Sequence, residues 1–300
     1  MKVLICDQLE KEAVEALKKL NVEVVENTSI EKEELAKIIG DFDGVIVRSR
    51  TKIRKDLIDI AKGKLKFIIR AGVGLDNIDA EYAREKGIEV INTPEASTNG
   101  VAELAVAHML ALLRHIPQAT ASMRRGEWPK KQFIGNELGS CIVGIIGLGR
   151  IGRRTAELVL GFGAKVLGYD PYVKSVEGLN VRMVGFDELL ESSDIISLHL
   201  PHTEETHHLI GEREFKKMKK TAYLVNCARG GIVDEDALYN ALKNGEIRGA
   251  ALDVFEEEPP KDLKLMELDN FICTPHLGAQ AEESSRRVGT EVVKKIAERL

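Results

Sequence analysis

A glycine-rich turn near the middle of the chain constrains the fold more than any other segment. The run VGIIGLGRIG at 143–152 reads as a buried strand that ends in Gly147, Gly149 and Gly152, before a helical pattern. This G-x-G-x-x-G spacing allows a tight turn, close approach of a pyrophosphate, and close packing of the helix on the strand. The helix N-terminus then offers free N–H groups to the phosphates. The segment predicts the opening βαβ unit of a dinucleotide-binding domain.

An acidic residue supports this interpretation. The next strand pattern, KVLGYD, ends in Asp170, about 20 residues beyond the glycine turn, as the dinucleotide fingerprint requires. A carboxylate there can bind both ribose hydroxyls and would repel a 2′-phosphate. We therefore expect NAD as the cofactor in preference to NADP.

Short apolar strands alternate with helices along the whole chain. In the first half the strands are KVLICD, VEVV, GVIVRS, KFIIRAG and IEVINTP, with helices near 9–20, 31–39, 55–62 and 79–86. In the second half they are IVGIIG, AKVLGYD, DIISLHL, AYLVNCA, GAALDVF and FICTPH. Such alternation predicts an α/β protein with parallel sheets covered on both faces, in two domains.

Three further helices follow from their patterns. One long helix is expected over 98–125, starting at Ser97 or Thr98 and apolar on most of its circumference, so that its His108 is expected to be structural or at an interface. A second follows Asp234 and stops at Gly245, and a third, amphipathic helix covers 279–300.

Charge and apolar content exclude several classes of function. The net charge is −5, which gives no general attraction to nucleic acid or membranes, and no apolar run approaches the roughly 20 residues that span a bilayer. The start of the chain does not resemble a signal peptide, so a cytoplasmic protein is expected. The four cysteines lie far apart and are expected to be buried free thiols, and no metal site is predicted.

Titratable groups follow three successive strands of the second half. Arg229 follows AYLVNCA, Asp253 and then Glu258 follow GAAL, and His276 follows FICTP. In open parallel sheets ligands bind beyond the carboxyl ends of the strands, so these groups should meet at one edge. A histidine can exchange the alcohol proton, a carboxylate can stabilise its imidazolium, and an arginine can hold a substrate carboxylate. The set predicts redox chemistry on a 2-hydroxy acid.

Several long segments resemble the D-isomer-specific 2-hydroxyacid dehydrogenase family over essentially the whole chain. They are GIIGLGRIG, NCARGGIVDEDAL, ALDVFEEEP and TPHLG, preceded by VRSRTKI, RAGVGLDNID and NTPEASTNGVAELA. The resemblance implies that His276 is the acid/base, Glu258 its partner and Arg229 the substrate clamp, and that Asp253 lies near the nicotinamide. It extends the cofactor contacts beyond the glycines and Asp170 to Val101, Arg150, Ile151, Pro201, His202, Thr203, Cys227 and Ala228.

The resemblance also implies how the domains are arranged. A Rossmann NAD-binding domain at 97–276 would be inserted into a flavodoxin-like substrate domain formed by 1–96 and 277–300, with hinges near 96 and 277. Because the sequence ends right after its closing helix, we expect the short form, without the serine-binding regulatory domain of many relatives. The helix at 98–125 and an arm with Trp128 and Phe133 indicate a homodimer, with a tetramer left open.

Basic residues in the first half indicate which 2-hydroxy acid is bound. Arg48 and Arg70 end two strands, and the turn formed by Gly72, Val73 and Gly74 can bind a carboxylate through its N–H groups. The arginines favour a phosphorylated substrate. The resemblance adds Lys130 as another basic position of similar members, and it implies oxidation of 3-phospho-D-glycerate to 3-phosphohydroxypyruvate in L-serine synthesis. Arg50 either adds to this phosphate site or lies in solvent.

Two alternatives stay open at this stage. One is a glyoxylate, hydroxypyruvate or other D-2-hydroxyacid reductase of the same family. The other is a non-enzymatic NAD-sensing corepressor, since such proteins can keep the arginine, glutamate and histidine.

Overall fold

The computed structural model describes residues 1–61 and 63–300, which form two compact units. The first unit consists of 1–98 and 279–300, and the second of 99–278. Both are parallel-sheet α/β units, which confirms the predicted fold class. We number strands and helices in chain order.

The first unit has a sheet of five parallel strands in the order β2-β1-β3-β4-β5. This is the flavodoxin-like order, in which ligands bind outside the carboxyl ends of the strands. The strands are β1 (Lys2–Ile5), β2 (Glu23–Glu26), β3 (Gly44–Val47), β4 (Phe67–Arg70) and β5 (Glu89–Asn92). The helices are α1 (Lys11–Lys19), α2 (Lys32–Ile38), α3 (Lys55–Ile60), α4 (Ala80–Glu85) and α11 (Glu282–Ala297). The predicted end of α3, at 62, lies outside the described residues.

The second unit has seven parallel strands in the order β12-β11-β10-β9-β6-β7-β8. The strands are β6 (Ile142–Ile146), β7 (Lys165–Tyr169), β8 (Val181–Met183), β9 (Ile195–Leu198), β10 (Tyr223–Asn226), β11 (Gly249–Leu252) and β12 (Phe271–Cys273). The helices are α5 (Thr98–Leu113), α6 (Ile116–Arg124), α7 (Arg150–Gly161), α8 (Phe186–Ser192), α9 (Glu212–Lys217) and α10 (Glu235–Lys243). The order reverses between β6 and β9, which makes this edge the switch point where dinucleotides bind.

The long helix expected over 98–125 is in fact two helices. α5 ends at Leu113, His115 takes a left-handed conformation (φ 52°), and α6 begins at Ile116. Pro117 explains the break, because it has no N–H to donate to the carbonyl of Leu113 and its ring would clash with that group. The carbonyl instead accepts a hydrogen bond from the N–H of Asn136, at 3.1 Å.

α5 is largely buried, as its apolar circumference predicts, and side chains such as Ala105 and Met109 lie in the core of its own unit. Cys6, Cys141 and Cys227 are buried free thiols as expected, but the expectation is wrong for Cys273, which ends the edge strand β12 and is exposed. The short strand β8 has no counterpart among the predicted strands.

Candidate active site

The glycine turn has the geometry of a phosphate cradle. Gly147 has φ 91°, and a Cβ there would lie 2.4 Å from the carbonyl oxygen of His199, where the ends of β6 and β9 meet. A Cβ at Gly152 would lie 1.9 Å from the carbonyl oxygen of Gly147. A Cβ at Gly149, by contrast, meets nothing within 4 Å. Two glycines are thus required by the packing and the third leaves its backbone open, which fits a bound pyrophosphate next to the first turn of α7.

Asp170 lies beside this cradle, as its position in the sequence predicts. Its Oδ2 accepts the N–H of Leu148, within the glycine turn, at 2.8 Å, and its Oδ1 accepts the N–H of Tyr172 at 2.9 Å. Each carboxylate oxygen keeps a further lone pair. The side chain can therefore accept from ribose hydroxyls while its charge opposes a 2′-phosphate.

Replacing Asp170 with Asn should shift the cofactor preference. The amide keeps one acceptor oxygen but removes the negative charge, so the ratio of kcat/KM for NADPH to that for NADH should rise tenfold or more. Steady-state kinetics with both cofactors measure this ratio. Glu191→Gln, which neutralises an exposed carboxylate on α8, is the matched control and should leave the ratio unchanged. An unaltered ratio in Asp170→Asn would remove Asp170 from the ribose site.

A buried asparagine shapes the loop that carries Arg229. Asn226, the last residue of β10, is 1% exposed. Its side chain accepts the N–H of Ala228 at 3.0 Å and donates to the carbonyl of Arg229 at 2.9 Å. The guanidinium of Arg229 in turn donates to the carbonyl of Ala228 at 2.6 Å. The loop is thereby held in one conformation directly at the end of the strand.

His276 and Glu258 form a hydrogen-bonded pair. Nδ1 of His276 lies 2.7 Å from Oε2 of Glu258, and Oε1 of Glu258 accepts the N–H of Phe255 at 3.2 Å. Because the carboxylate can only accept, the imidazole carries its proton on Nδ1, and Nε2 is left for a substrate. This is the arrangement that a general acid/base needs.

Close packing of two loops brings Arg229 toward this pair. A Cβ at Gly230 would lie 1.8 Å from the carbonyl oxygen of Phe255, so the segment after β10 touches the segment that leads to Glu258. Burial by itself would raise the pKa of Glu258. The hydrogen bond and charge of His276, the N–H of Phe255 and the charge of Arg229 outweigh burial, and the pKa is lowered. The carboxylate is therefore ionised at neutral pH and stabilises a protonated imidazole.

Asp253 has a different environment from Glu258. It is 1% exposed, and its carboxylate accepts the N–H groups of Leu277 at 2.7 Å and Gly278 at 2.9 Å. The Oγ1 of Thr274 donates to the same carboxylate at 2.5 Å. Three donors thus occupy this carboxylate, and it holds the loop that carries His276. Its expected position near the nicotinamide stays a prediction.

The other expected cofactor residues all lie in the second unit. Val101 is buried on α5 beside Gly278, and a Cβ on that glycine would lie 3.1 Å from it. Arg150 and Ile151 open α7 directly after the glycine turn. Pro201, His202 and Thr203 are exposed in the loop that follows β9, and Nε2 of His202 lies 2.9 Å from the position of a Cβ on Gly231. Cys227 is buried directly after β10, and burial raises the pKa of its thiol well above the ordinary range.

Most of the expected substrate residues lie in the first unit. Arg48 directly follows β3, and Arg70 ends the neighbouring strand β4, paired with Val47. Gly72 has φ 152°, and a Cβ there would lie 1.3 Å from Nη1 of Arg70, so only glycine lets this guanidinium pack on the turn. The carbonyl of Val73 accepts from the side chain of Asn92 at 2.6 Å. Gly74 completes the turn, and Lys130 is exposed in a short 3₁₀ turn of the second unit.

Arg50 is partly exposed to solvent, with 45% of its side chain accessible, and it also bonds to neighbouring loops of its own unit. Its guanidinium donates to the carbonyls of Cys6 (2.6 Å), Thr28 (3.0 Å) and Ile30 (3.1 Å), and its Nε lies 3.1 Å from the buried carboxylate of Asp7. It connects the loops after β1 and β2. These contacts make the residue a brace between the loops, and its part in a phosphate site stays a prediction.

Sequence reasoning did not identify Asn226 or Thr274 as site residues. Both are polar residues at the carboxyl end of an apolar strand, where β10 ends in Asn226 and Thr274 follows β12. This position could have identified them, because Arg229 and His276 were predicted from the same position just beyond a strand.

The cradle, the adjacent acid and the histidine–carboxylate pair define a dinucleotide-binding unit with a candidate acid/base. Residues 106–278 match the family model described as the NAD binding domain of D-isomer specific 2-hydroxyacid dehydrogenases. The chain belongs to this family, and its second unit is the family's NAD-binding domain.

Individual relatives differ in the activity that their names give. The chain is 51% identical to a D-3-phosphoglycerate dehydrogenase of Methanocaldococcus jannaschii, over 99% of this chain but 57% of that protein. It is 49% identical to a hydroxypyruvate reductase of Thermotoga maritima, over 100% of this chain and 98% of that protein. A D-lactate dehydrogenase from Aquifex aeolicus, solved with NAD and lactic acid, aligns with a TM-score of 0.84 at 35% identity, over 99% of this chain and 94% of that one. The chain thus spans little more than half of the first of these relatives.

Proposed function

We propose that the protein is an NAD-dependent D-2-hydroxyacid dehydrogenase. The observation that carries the proposal is the 2.7 Å pair of His276 and Glu258, with Arg229 close enough to lower the pKa of Glu258. The glycine cradle and Asp170 would hold NAD, which supplies the acceptor or donor of hydride when it is bound. In the direction of reduction, Nε2–H of His276 gives its proton to the substrate carbonyl oxygen while Glu258 stabilises the imidazolium. Arg229 binds the substrate carboxylate.

Within this class we propose 3-phospho-D-glycerate and 3-phosphohydroxypyruvate as the substrate pair, which is the first step of L-serine biosynthesis. Two guanidinium groups at the ends of neighbouring strands, Arg48 and Arg70, support a phosphate site, because arginine binds phosphate with paired hydrogen bonds. The name of the Methanocaldococcus jannaschii relative agrees with it.

Hydroxypyruvate is the second candidate substrate, and one comparison specifically favours it. The Thermotoga maritima relative is named hydroxypyruvate reductase and matches this chain over 98% of its own length. Hydroxypyruvate differs from 3-phosphohydroxypyruvate only by the absence of the phosphate group. The two candidates therefore make opposite predictions for Arg48 and Arg70.

The phosphate site is tested by NADH consumption with 3-phosphohydroxypyruvate, hydroxypyruvate and glyoxylate. We expect kcat/KM to be about a hundredfold higher for the phosphorylated acid, which corresponds to roughly 2.7 kcal/mol of discrimination. Arg48→Ala and Arg70→Ala should each remove most of this advantage and leave glyoxylate turnover nearly unchanged. Lys37→Ala, which removes an exposed charge from α2, is the control. Equal turnover of hydroxypyruvate by the wild type would favour the second candidate. Binding of NADH without turnover of any 2-oxo acid would contradict the proposed dehydrogenase activity.

We also propose that two chains form a homodimer through the segment 116–134, which comprises α6 and the arm with Trp128 and Phe133. Four large apolar side chains are more than half exposed between 116 and 134, namely Ile116, Met123, Trp128 and Ile134. Large exposed apolar side chains concentrated in one segment are typical of an interaction surface. Sedimentation equilibrium should give the mass of two chains, and a mass of one chain at micromolar concentration would contradict the proposal.

A further inference from the structure

A buried histidine is connected to the loop that carries His276. His108, in the middle of α5, is 5% exposed. Its Nε2 lies 3.0 Å from Oγ1 of Thr274, which in turn lies 2.5 Å from Oδ1 of Asp253. The three side chains form a continuous hydrogen-bonded line from the core helix to the ends of two strands, within one unit of the structure.

The direction of these hydrogen bonds follows from the carboxylate. Asp253 already accepts from the N–H groups of Leu277 and Gly278, so toward Thr274 it is again the acceptor and the hydroxyl is the donor. The hydroxyl oxygen is then left to accept, and His108 must carry its proton on Nε2. Burial lowers the pKa of His108, and the charge of Asp253 only partly opposes this effect, so the ring is neutral. The tautomer that is protonated on Nε2 satisfies both hydrogen bonds.

The line ends on the backbone of His276. The carbonyl of Asp253 accepts the N–H of His276 at 2.8 Å, and its carboxylate holds the next two N–H groups. His276 itself has φ 53°, a left-handed conformation that is costly for a residue with a side chain. A strained residue keeps such a conformation only when its surroundings hold it there, and here the holding group is Asp253.

We propose that His108 is a positioning residue for His276 and acts through Thr274 and Asp253. A polar ring buried in a core helix is costly unless it is hydrogen-bonded, and among the described residues the Thr274 hydroxyl is the partner of Nε2. This bond fixes the rotamer of Thr274, which in turn fixes the carboxylate of Asp253. The inference rests on the proposed function, since His108 can affect catalysis in this way only if His276 is the acid/base.

The first arm of the test is kinetic. His108→Met keeps the size of the side chain and removes the donor, and it should lower kcat about tenfold while KM for NADH stays within twofold, because loss of positioning acts on the reacting group and not on cofactor binding. His108→Gln, which can place an amide N–H near the position of Nε2, should restore most of the activity. Thr274→Val should resemble His108→Met, and Thr274→Ser should resemble the wild type.

A double-mutant cycle decides whether the histidine acts through Thr274. In the Thr274→Val background, His108→Met should cost less than twofold in kcat, because the line is already interrupted. Full additivity of the two losses would overturn the proposal. Leu112→Ala controls for general loosening of α5, since Leu112 is buried one turn further along the helix. It should lower the melting temperature without changing kcat measured well below that temperature.

The second arm does not depend on activity. The ring-nitrogen NMR shifts of ¹⁵N-labelled histidine report the tautomer of neutral His276, which we expect to be Nδ1–H in the wild type because of its bond to Glu258. In His108→Met the shifts should move toward a mixture of both tautomers. Unchanged shifts in an active enzyme would overturn this inference alone. A wild-type protein with no turnover of any 2-oxo acid would instead contradict the proposed function.

Discussion

His276→Gln should lower kcat for reduction of the 2-oxo acid about a thousandfold and leave the affinity for NADH nearly unchanged. Glutamine can still hydrogen-bond to Glu258 but has no proton to transfer at neutral pH, and a positioned acid/base contributes 10²–10⁴ in rate. Stopped-flow reduction under single-turnover conditions measures the chemical step, and NADH fluorescence titration measures binding. A loss below tenfold would show that another group supplies the proton.

The carboxylate of the pair provides a matched variant, Glu258→Gln. The lowered pKa of Glu258 means that it is ionised at neutral pH, where its charge favours the protonated imidazole that reduction requires. Glutamine can still hydrogen-bond to His276 but removes the charge that stabilises the protonated imidazole. The rate of reduction at neutral pH should therefore fall about tenfold, which is much less than in His276→Gln. An unchanged rate would contradict the role of Glu258.

One geometrical rule explains which site residues the sequence correctly predicts to be neighbours. Parallel strands bring their carboxyl ends to a common edge, so charged residues just after such strands must meet there. Arg229, Glu258 and His276 are brought together in this way, and Asp170 reaches the glycine turn because β7 pairs with β6. None of this needs knowledge of side-chain packing.

The residues that the sequence could not place depend on contacts between distant segments. His108 and Thr274 are 166 residues apart, and no local pattern connects them. Arg50 is held by carbonyls of two other loops, so its spacing from Arg48 carries no information about its partners. The break between α5 and α6 is different, because Pro117 was visible in the sequence and the rule against proline inside a helix predicts the interruption.

Arg229→Ala should lower kcat/KM for the 2-oxo acid about a thousandfold. In the proposed mechanism the guanidinium binds the substrate carboxylate and polarises the carbonyl as negative charge develops on its oxygen. Loss of one donor of this kind costs 10²–10³, and the carboxylate contact adds to it. Arg229→Lys should recover part of the loss, because it restores the charge but not the paired hydrogen bonds. Steady-state kinetics on the three variants, with NADH binding as the reference, measure these effects.

Arg248 provides the matched control for the arginine at the site. It is exposed and directly precedes β11, so it lies at the amino end of the same sheet, and its guanidinium lies 5.9 Å from the ring centre of Tyr223. Arg248→Ala removes the same charge from the opposite edge, and kcat/KM should stay within twofold of the wild type. If both variants lost activity equally, the effect of Arg229→Ala would reflect the net charge or the stability of the unit. A loss confined to Arg229→Ala, with NADH binding intact, would support a direct interaction with the substrate, because Asn226 holds the loop through contacts with the backbone that alanine retains.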